Sequence, residues 1–159
     1  MAHGHIIGVR RLFIVNTLVT NAAPLRCALE LLRAQNEVLM VSVINTATMS
    51  ERVRRAQFAD AADWHVNDAE TSLRLAIAPE MVRQSEMVGT DDPDRTEGLV
   101  FSDPVNRTSL NGVTGKPSIA TAEKGREFFN WMREDLSEIV RCGLLETAPL
   151  AYRYQNQIS

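Results

Sequence analysis

The ten residues "DWHVNDAETS", Asp63 to Ser72, place His65, Asp68 and Glu70 beside the indole of Trp64. A histidine suits proton transfer near neutral pH, and the two carboxylates can bind a hard or borderline divalent metal or activate its water. Trp64 is a natural pocket wall, because aromatic rings line many ligand sites. The stretch has a second, structural reading. Asn67 followed three residues later by Glu70 is a capping box that starts a helix, and a helix N-terminus favours anionic groups whatever else they do. Composition leaves both readings open. His65 and Glu70 match no familiar metal spacing, and they share a site only if the histidine precedes the helix.

Two further stretches carry candidate chemistry. "RLFIVNTLVTN", Arg11 to Asn21, runs an apolar segment into a polar turn bracketed by Asn16 and Asn21, where an active-site loop would sit at the end of a buried strand. "NGVTGKPS", Asn111 to Ser118, sets Gly112, Gly115 and Lys116 before a helix. A phosphate-cradling loop needs a longer glycine-rich run ending in Lys-Ser/Thr, and Pro117 interrupts that order, so a tight turn is expected instead. His3 and His5 lie near a chain terminus, where histidines seldom form a site. Trp131 falls within an amphipathic stretch and is expected to pack in the core.

These residues need elements to hold them. Leu12 to Val15 form a short continuous apolar run, which suits a strand covered on both faces. Leu25, Ala28, Leu29 and Leu32 recur at helical spacing from Ala22 to Gln35, with Asn21 as cap and Pro24 in the first turn. Val38 to Ile44 then give a second β-branched run, and strand, helix, strand with short links predicts a parallel crossover unit. Asn45 to Trp64 reads as a short helix or ordered loop. Leu73, Ile77 and Met81 mark a helix that opens near Asn67 and closes near Pro79. Arg83 to Lys116 has turn and loop composition, with a strand possible at Leu99 to Phe101. A last helix, capped by Ser118 and ended by Gly143, carries Phe128, Met132, Leu136, Ile139 and Val140 at helical period.

At 159 residues the chain has room for one domain, taken as residues 1–159. Hydrophobic residues make up 45% and the net charge is −3, without the basic excess that a nucleic-acid surface needs. Cys27 and Cys142 have no CxxC spacing, so a reducing cytoplasm is expected. No apolar run approaches the ~18 residues of a membrane span, and the N-terminus lacks a signal-peptide apolar region.

Three separated stretches resemble one family in the same order. "GVRRLFIVNTLVTN" resembles its "hG-rr-ivNgHGGN" strand and loop, "WHVNDAETSLRLAIAPEMVR" its "H-AG-E-x-ETSlmLal-PelV", and "NGVTGKPSIATAEKG" its "GvtGdPs-ATaekG". On these residues the chain, from about Gly8 to Ile139, resembles the creatininase family of metal-dependent amidohydrolases. The resemblance implies an α/β fold, a three-layer α/β/α arrangement around a mainly parallel sheet with its site at the strand carboxyl ends. It also implies a zinc or manganese cofactor, a cyclic or linear amide as small-molecule substrate, and homo-oligomers, frequently hexamers.

Carried across, the resemblance makes His65 the proton-transfer histidine and counts Asp68, in place of the commoner glutamate, with it among the catalytic residues. Glu70 becomes the metal-site glutamate. Asn16 and Asn21 bracket the metal-binding loop, and Gly112 and Gly115 form the late turn. Two departures stand out. The loop that reads Asn-Gly-His-Gly-Gly-Asn in the family puts Leu18 at the metal-ligating histidine. The family's "E-HG-HLP" segment and following aspartate, which supply most other ligands, have no counterpart here, so the chain is expected to be an N-terminally truncated version of the domain. Impaired hydrolysis is the expectation. The alternatives are a non-catalytic binding or assembly subunit, or a fragment of a full-length hydrolase, pairing with itself or with a complete homologue.

Overall fold

The computed structural model describes residues 9–36 and 38–150, so His3 and His5 lie outside the described residues. Strands β1 (Arg11–Asn16) and β2 (Met40–Asn45) pair in parallel, with Arg11 opposite Met40 and Asn16 opposite Asn45. Helix α1 (Ala22–Gln35) connects them and lies against β2, which is the crossover unit that the periodicity predicts. β2 begins two residues later than its apolar run, because Val38 stays 67% exposed ahead of the ladder. Asn21 does not cap α1 through its side chain. A 3-10 turn over Val19–Asn21 already leads into the helix, and Asn21 itself is helical at φ −81°.

Helix α2 (Glu51–Gln57) resolves the ambiguous middle of the chain. The Ser50 hydroxyl accepts from the Val53 N–H at 3.3 Å to cap it, and donates to Asp135 at 2.5 Å. Helix α3 (Asp68–Ile77) follows, then a one-turn helix α4 (Val105–Thr108) and the long helix α5 (Ala122–Leu145). α3 buries Ala69, Thr71, Ser72 and Leu75, while Ile77 and Met81 remain more than 60% exposed. The apolar spacing therefore located the helix but not its inner face.

α3 and α5 meet at backbone distance. A Cβ on Gly125 would lie 1.9 Å from the Ser72 carbonyl oxygen, so only glycine permits the approach. Val53, Ala69 and Phe128 form the core between α2, α3 and α5, with Trp131, Met132 and Leu73 packed around them. Two sequence expectations for α5 fail. Thr121, not Ser118, caps it by accepting from the Lys124 N–H at 3.2 Å, since Ser118 is engaged by the Asp91 carboxylate. Gly143 does not end it either: the helix continues to Leu145, and Gly143 packs against the Phe13 ring, which an added Cβ would approach to 2.7 Å. Arg11 closes this junction, donating to the carbonyls of Gly143 and Glu146 at 3.1 and 2.7 Å.

The segment between α3 and α5 contains no strand at Leu99 to Phe101, because Gly98 turns the chain at φ +77° and the three residues that follow are exposed. It is nevertheless well ordered by its own aspartates. Asp92 accepts from Arg95 at 2.6 Å, the Leu110 N–H at 2.7 Å and the Ser109 hydroxyl at 2.9 Å. Asp94 accepts from the Ala62 and Asp63 N–H groups at 2.9 and 3.0 Å, tying this segment to the residues just before His65.

Candidate functional site

The site is assembled around the start of α3. Asn67 is fully buried, and its Oδ1 accepts from the Glu70 N–H at 3.1 Å, so the predicted cap is present. Its Nδ2 donates to the Gln57 carbonyl at 2.7 Å and to Asp60 Oδ1 at 2.8 Å. Asp60 Oδ2 in turn accepts from the Asp68 and Lys116 N–H groups at 3.0 and 2.7 Å. One carboxylate thus joins the helix start to the glycine turn.

That turn runs beside His65. His65 and Thr114 exchange backbone hydrogen bonds of 3.1 and 2.7 Å, and Gly115 and Asp92 exchange another pair of 3.1 and 2.8 Å. Gly112 and Gly115 take φ values of +85° and +132°, which L side chains rarely adopt. Gly115 is also sterically required, since a Cβ there would lie 2.6 Å from both Asn67 Cβ and Asp60 Oδ2. The Gly112 carbonyl reaches His65 Nδ1. A carbonyl oxygen can only accept, so Nδ1 carries the proton and Nε2 is the bare nitrogen of the neutral ring. His65 is exposed, leaving Nε2 free to meet a ligand.

Glu70 reaches back past Asn67 to accept from the Val66 N–H at 2.8 Å through Oε2. Val66 has φ +56°, the sole positive φ at a non-glycine among the described residues. Asp68 faces the other way: Oδ1 accepts from the Ser72 hydroxyl at 3.0 Å and Oδ2 pairs with Lys124 Nζ at 2.9 Å. Trp64 stands edge-on to Phe58, ring centroids 6.0 Å apart, which fixes it against the end of α2.

The structure therefore brings together His65, Glu70, Gly112 and Gly115, with Trp64 adjacent in the chain. Asn16 and Asn21 belong to a different place. Asn16 donates to the Asn45 side chain at 2.8 Å and accepts from the Leu18 N–H at 3.2 Å, shaping the turn at the carboxyl end of the sheet. No hydrogen bond among the described residues links this turn to the His65 loop. Asp60, Asp92 and Asp94 are organisers that the sequence reading missed. Each reaches a partner 18 residues or more away in the chain, as Asp60 does to Lys116, and an aspartate in turn-rich sequence carries no local sign of a distant partner. Asp92 is held well below the usual carboxylate range by the Arg95 guanidinium and by the Leu110 N–H, against the opposing effect of burial.

Parallel strands joined by a helix, with a capped histidine loop beside a glycine turn, define an α/β scaffold. The sequence matches the family model described as creatininase, creatinine amidohydrolase, over residues 4–140, and the chain belongs to the creatininase family. Among solved structures it is similar to a creatininase mutant of Zn-Zn type, at TM-score 0.63 and 25% identity over 84% of this chain. It is also similar to a creatinine amidohydrolase (creatininase) at TM-score 0.64, 23% identity and 88% coverage. A third structure, named creatininase Mn, aligns at TM-score 0.61, 24% identity and 84% coverage. The chain spans only 56%, 58% and 56% of the lengths of those three. Comparison with curated proteins gave no match.

A divalent metal of the family type needs several converging donors. Among the described residues no three His, Cys, Asp or Glu side chains gather in a metal-holding group. The oxygens of Asp68 are engaged by Ser72 and Lys124, and Leu18, 56% exposed on its turn, offers no donor. The donor set of the described residues does not fit the metal.

Proposed function

We propose that this chain is a creatininase-family amidohydrolase relative that retains the proton-handling and loop-positioning part of an amide site and is impaired in hydrolysis on its own. The substrate class would be a small cyclic or linear amide, as the names of the solved relatives suggest. His65 would exchange a proton with the ligand nitrogen through Nε2, beside a wall formed by Trp64. Gly112 and Gly115 would shape the rim. Asp68, through its pair with Lys124, would keep α3 seated on α5 beneath that rim. Asn16 and Asn21 would frame the sheet-end turn.

The observation that carries this reading is the donor set. Zinc or manganese is the cofactor implied by family membership, and the described residues offer it too few ligands, with Leu18 where the family has histidine. A second reading, an assembly subunit that pairs with itself or with a complete homologue, is favoured by the two-stranded sheet. Its apolar strands have no further partner strand among the described residues, and Val15 is 44% exposed. A reducing, cytoplasmic setting goes with both, since Cys27 and Cys142 are free thiols. No helix among the described residues is long and apolar enough to cross a membrane.

The test is turnover of creatinine and simple formamides with zinc or manganese added. We expect none from the isolated chain. Restored turnover on mixing with a full-length homologue, with each silent alone under the assay conditions, would favour the assembly reading. Turnover by the chain alone would refute the impaired reading.

A further inference from the structure

We propose that Glu70 is a positioning residue, which straps the left-handed turn at Val66 and so presents Nε2 of His65, rather than a metal ligand. The inference deepens the reading of His65 as the proton-handling group and rests on it for its functional meaning alone.

In an ordinary capping box the third helical residue reaches back to the N–H of the capping residue itself. Here Asn67 is the cap, and Glu70 overshoots it by one residue to take the Val66 N–H at 2.8 Å. The amide it holds is the one that follows His65. Fixing that peptide fixes the backbone direction in which the His65 side chain leaves the chain. Val66 would not keep φ +56° unaided, because its branched Cβ disfavours the left-handed region. The cross-chain bonds to Thr114 hold the His65 backbone, and the Gly112 carbonyl holds Nδ1. The Thr71 hydroxyl adds a long bond of 3.4 Å to the Val66 carbonyl, so Glu70 is the tighter of the two side-chain holds on the turn, and the remaining polar atom of His65 is Nε2. Glu70 Oε1 takes no hydrogen bond from the described residues, so the strap needs one acceptor oxygen and no charge.

This separates the proposal from a metal or general-base role, in which the charge is essential. The experiment reads the His65 ring nitrogens by long-range proton–nitrogen NMR at about pH 9, above the ordinary imidazole range. His65 signals are assigned by their loss in His65→Gln. Wild type and Glu70→Gln, whose amide oxygen still accepts from Val66, should show one protonated Nδ1 and one bare Nε2. Glu70→Ala should give shifts averaged between the two tautomers. Adding Val66→Gly to Glu70→Ala should restore the wild-type pattern, because glycine holds a positive φ without a strap. If Glu70→Ala fails to fold, a folded double variant with the wild-type tautomer supports the strap, and an unfolded double variant contradicts it. An unchanged tautomer in Glu70→Ala, or equal disturbance in Glu70→Gln and Glu70→Ala, overturns the proposal. The readout uses neither metal nor substrate, so its failure leaves the impaired-hydrolysis reading standing. Turnover by the wild type would refute that reading without touching the strap.

Discussion

Asn67 spends every side-chain hydrogen bond on a different neighbour: the Glu70 N–H, the Gln57 carbonyl and Asp60. Two of those partners are acceptors, so a carboxylate cannot replace the amide. Asn67→Asp should cost about 3 kcal/mol in urea melts, because it leaves buried acceptors facing a like charge. The two glycines of the facing turn should separate by the same method. Gly115→Ala meets Asn67 and Asp60 as well as a forbidden φ and should lose about 3 kcal/mol, whereas Gly112→Ala opens into free space and should lose about 1 kcal/mol. Equal losses would mean that the turn adapts. At the sheet-end turn, Leu18→His alone should restore no activity, since one imidazole does not complete a set of converging donors. Measurable turnover in that variant would show that the ligands have been miscounted.

Elements were legible where a local pattern decides them, and not where a distant contact does. α1 and the crossover could be read from apolar period and short links, and Asn67 from its capping spacing. Gly143 misled, because glycine after an apolar helix signals a stop unless something packs on it, and Phe13, far away in the chain, does. The segment from Arg83 to Lys116 read correctly as loop, apart from the possible strand at Leu99 to Phe101, but the long-range bonds by which its aspartates fix it were not legible. Gly125→Ala tests the helix contact, and should destabilise by more than about 3 kcal/mol, because the clash is with backbone rather than with a side-chain tip.

Two arginine-paired aspartates, Asp92 in the loop and Asp135 on α5, also set an acid dependence. Asp92 and Asp135 are held below their ordinary value of 3.8, by Arg95 and Arg52 respectively as the largest cause. A folded carboxylate with a lowered pKa binds fewer protons than the unfolded one. Its contribution is therefore complete above the ordinary value and is lost as pH falls below it. Urea midpoints should drop between about pH 5 and about pH 3, and Asp92→Asn should flatten that drop while lowering stability at neutral pH. An unchanged slope in the variant would remove Asp92 from the account.

At the scale of the whole molecule, the two parallel strands among the described residues form a small sheet for an α/β protein, since parallel sheets are ordinarily covered on both faces and free edges invite pairing. We expect association at micromolar concentration, seen by light scattering or sedimentation. A monodisperse monomer with cooperative melting would argue against it. The central proposal is that this creatininase-family chain does not itself build the divalent-metal centre that its family implies. Elemental analysis of freshly purified protein, with and without added zinc or manganese and paired with a creatinine assay, tests it most directly. The account predicts well under one metal per chain and no turnover. Stoichiometric, tightly held metal, with turnover lost in Glu70→Gln, would contradict it.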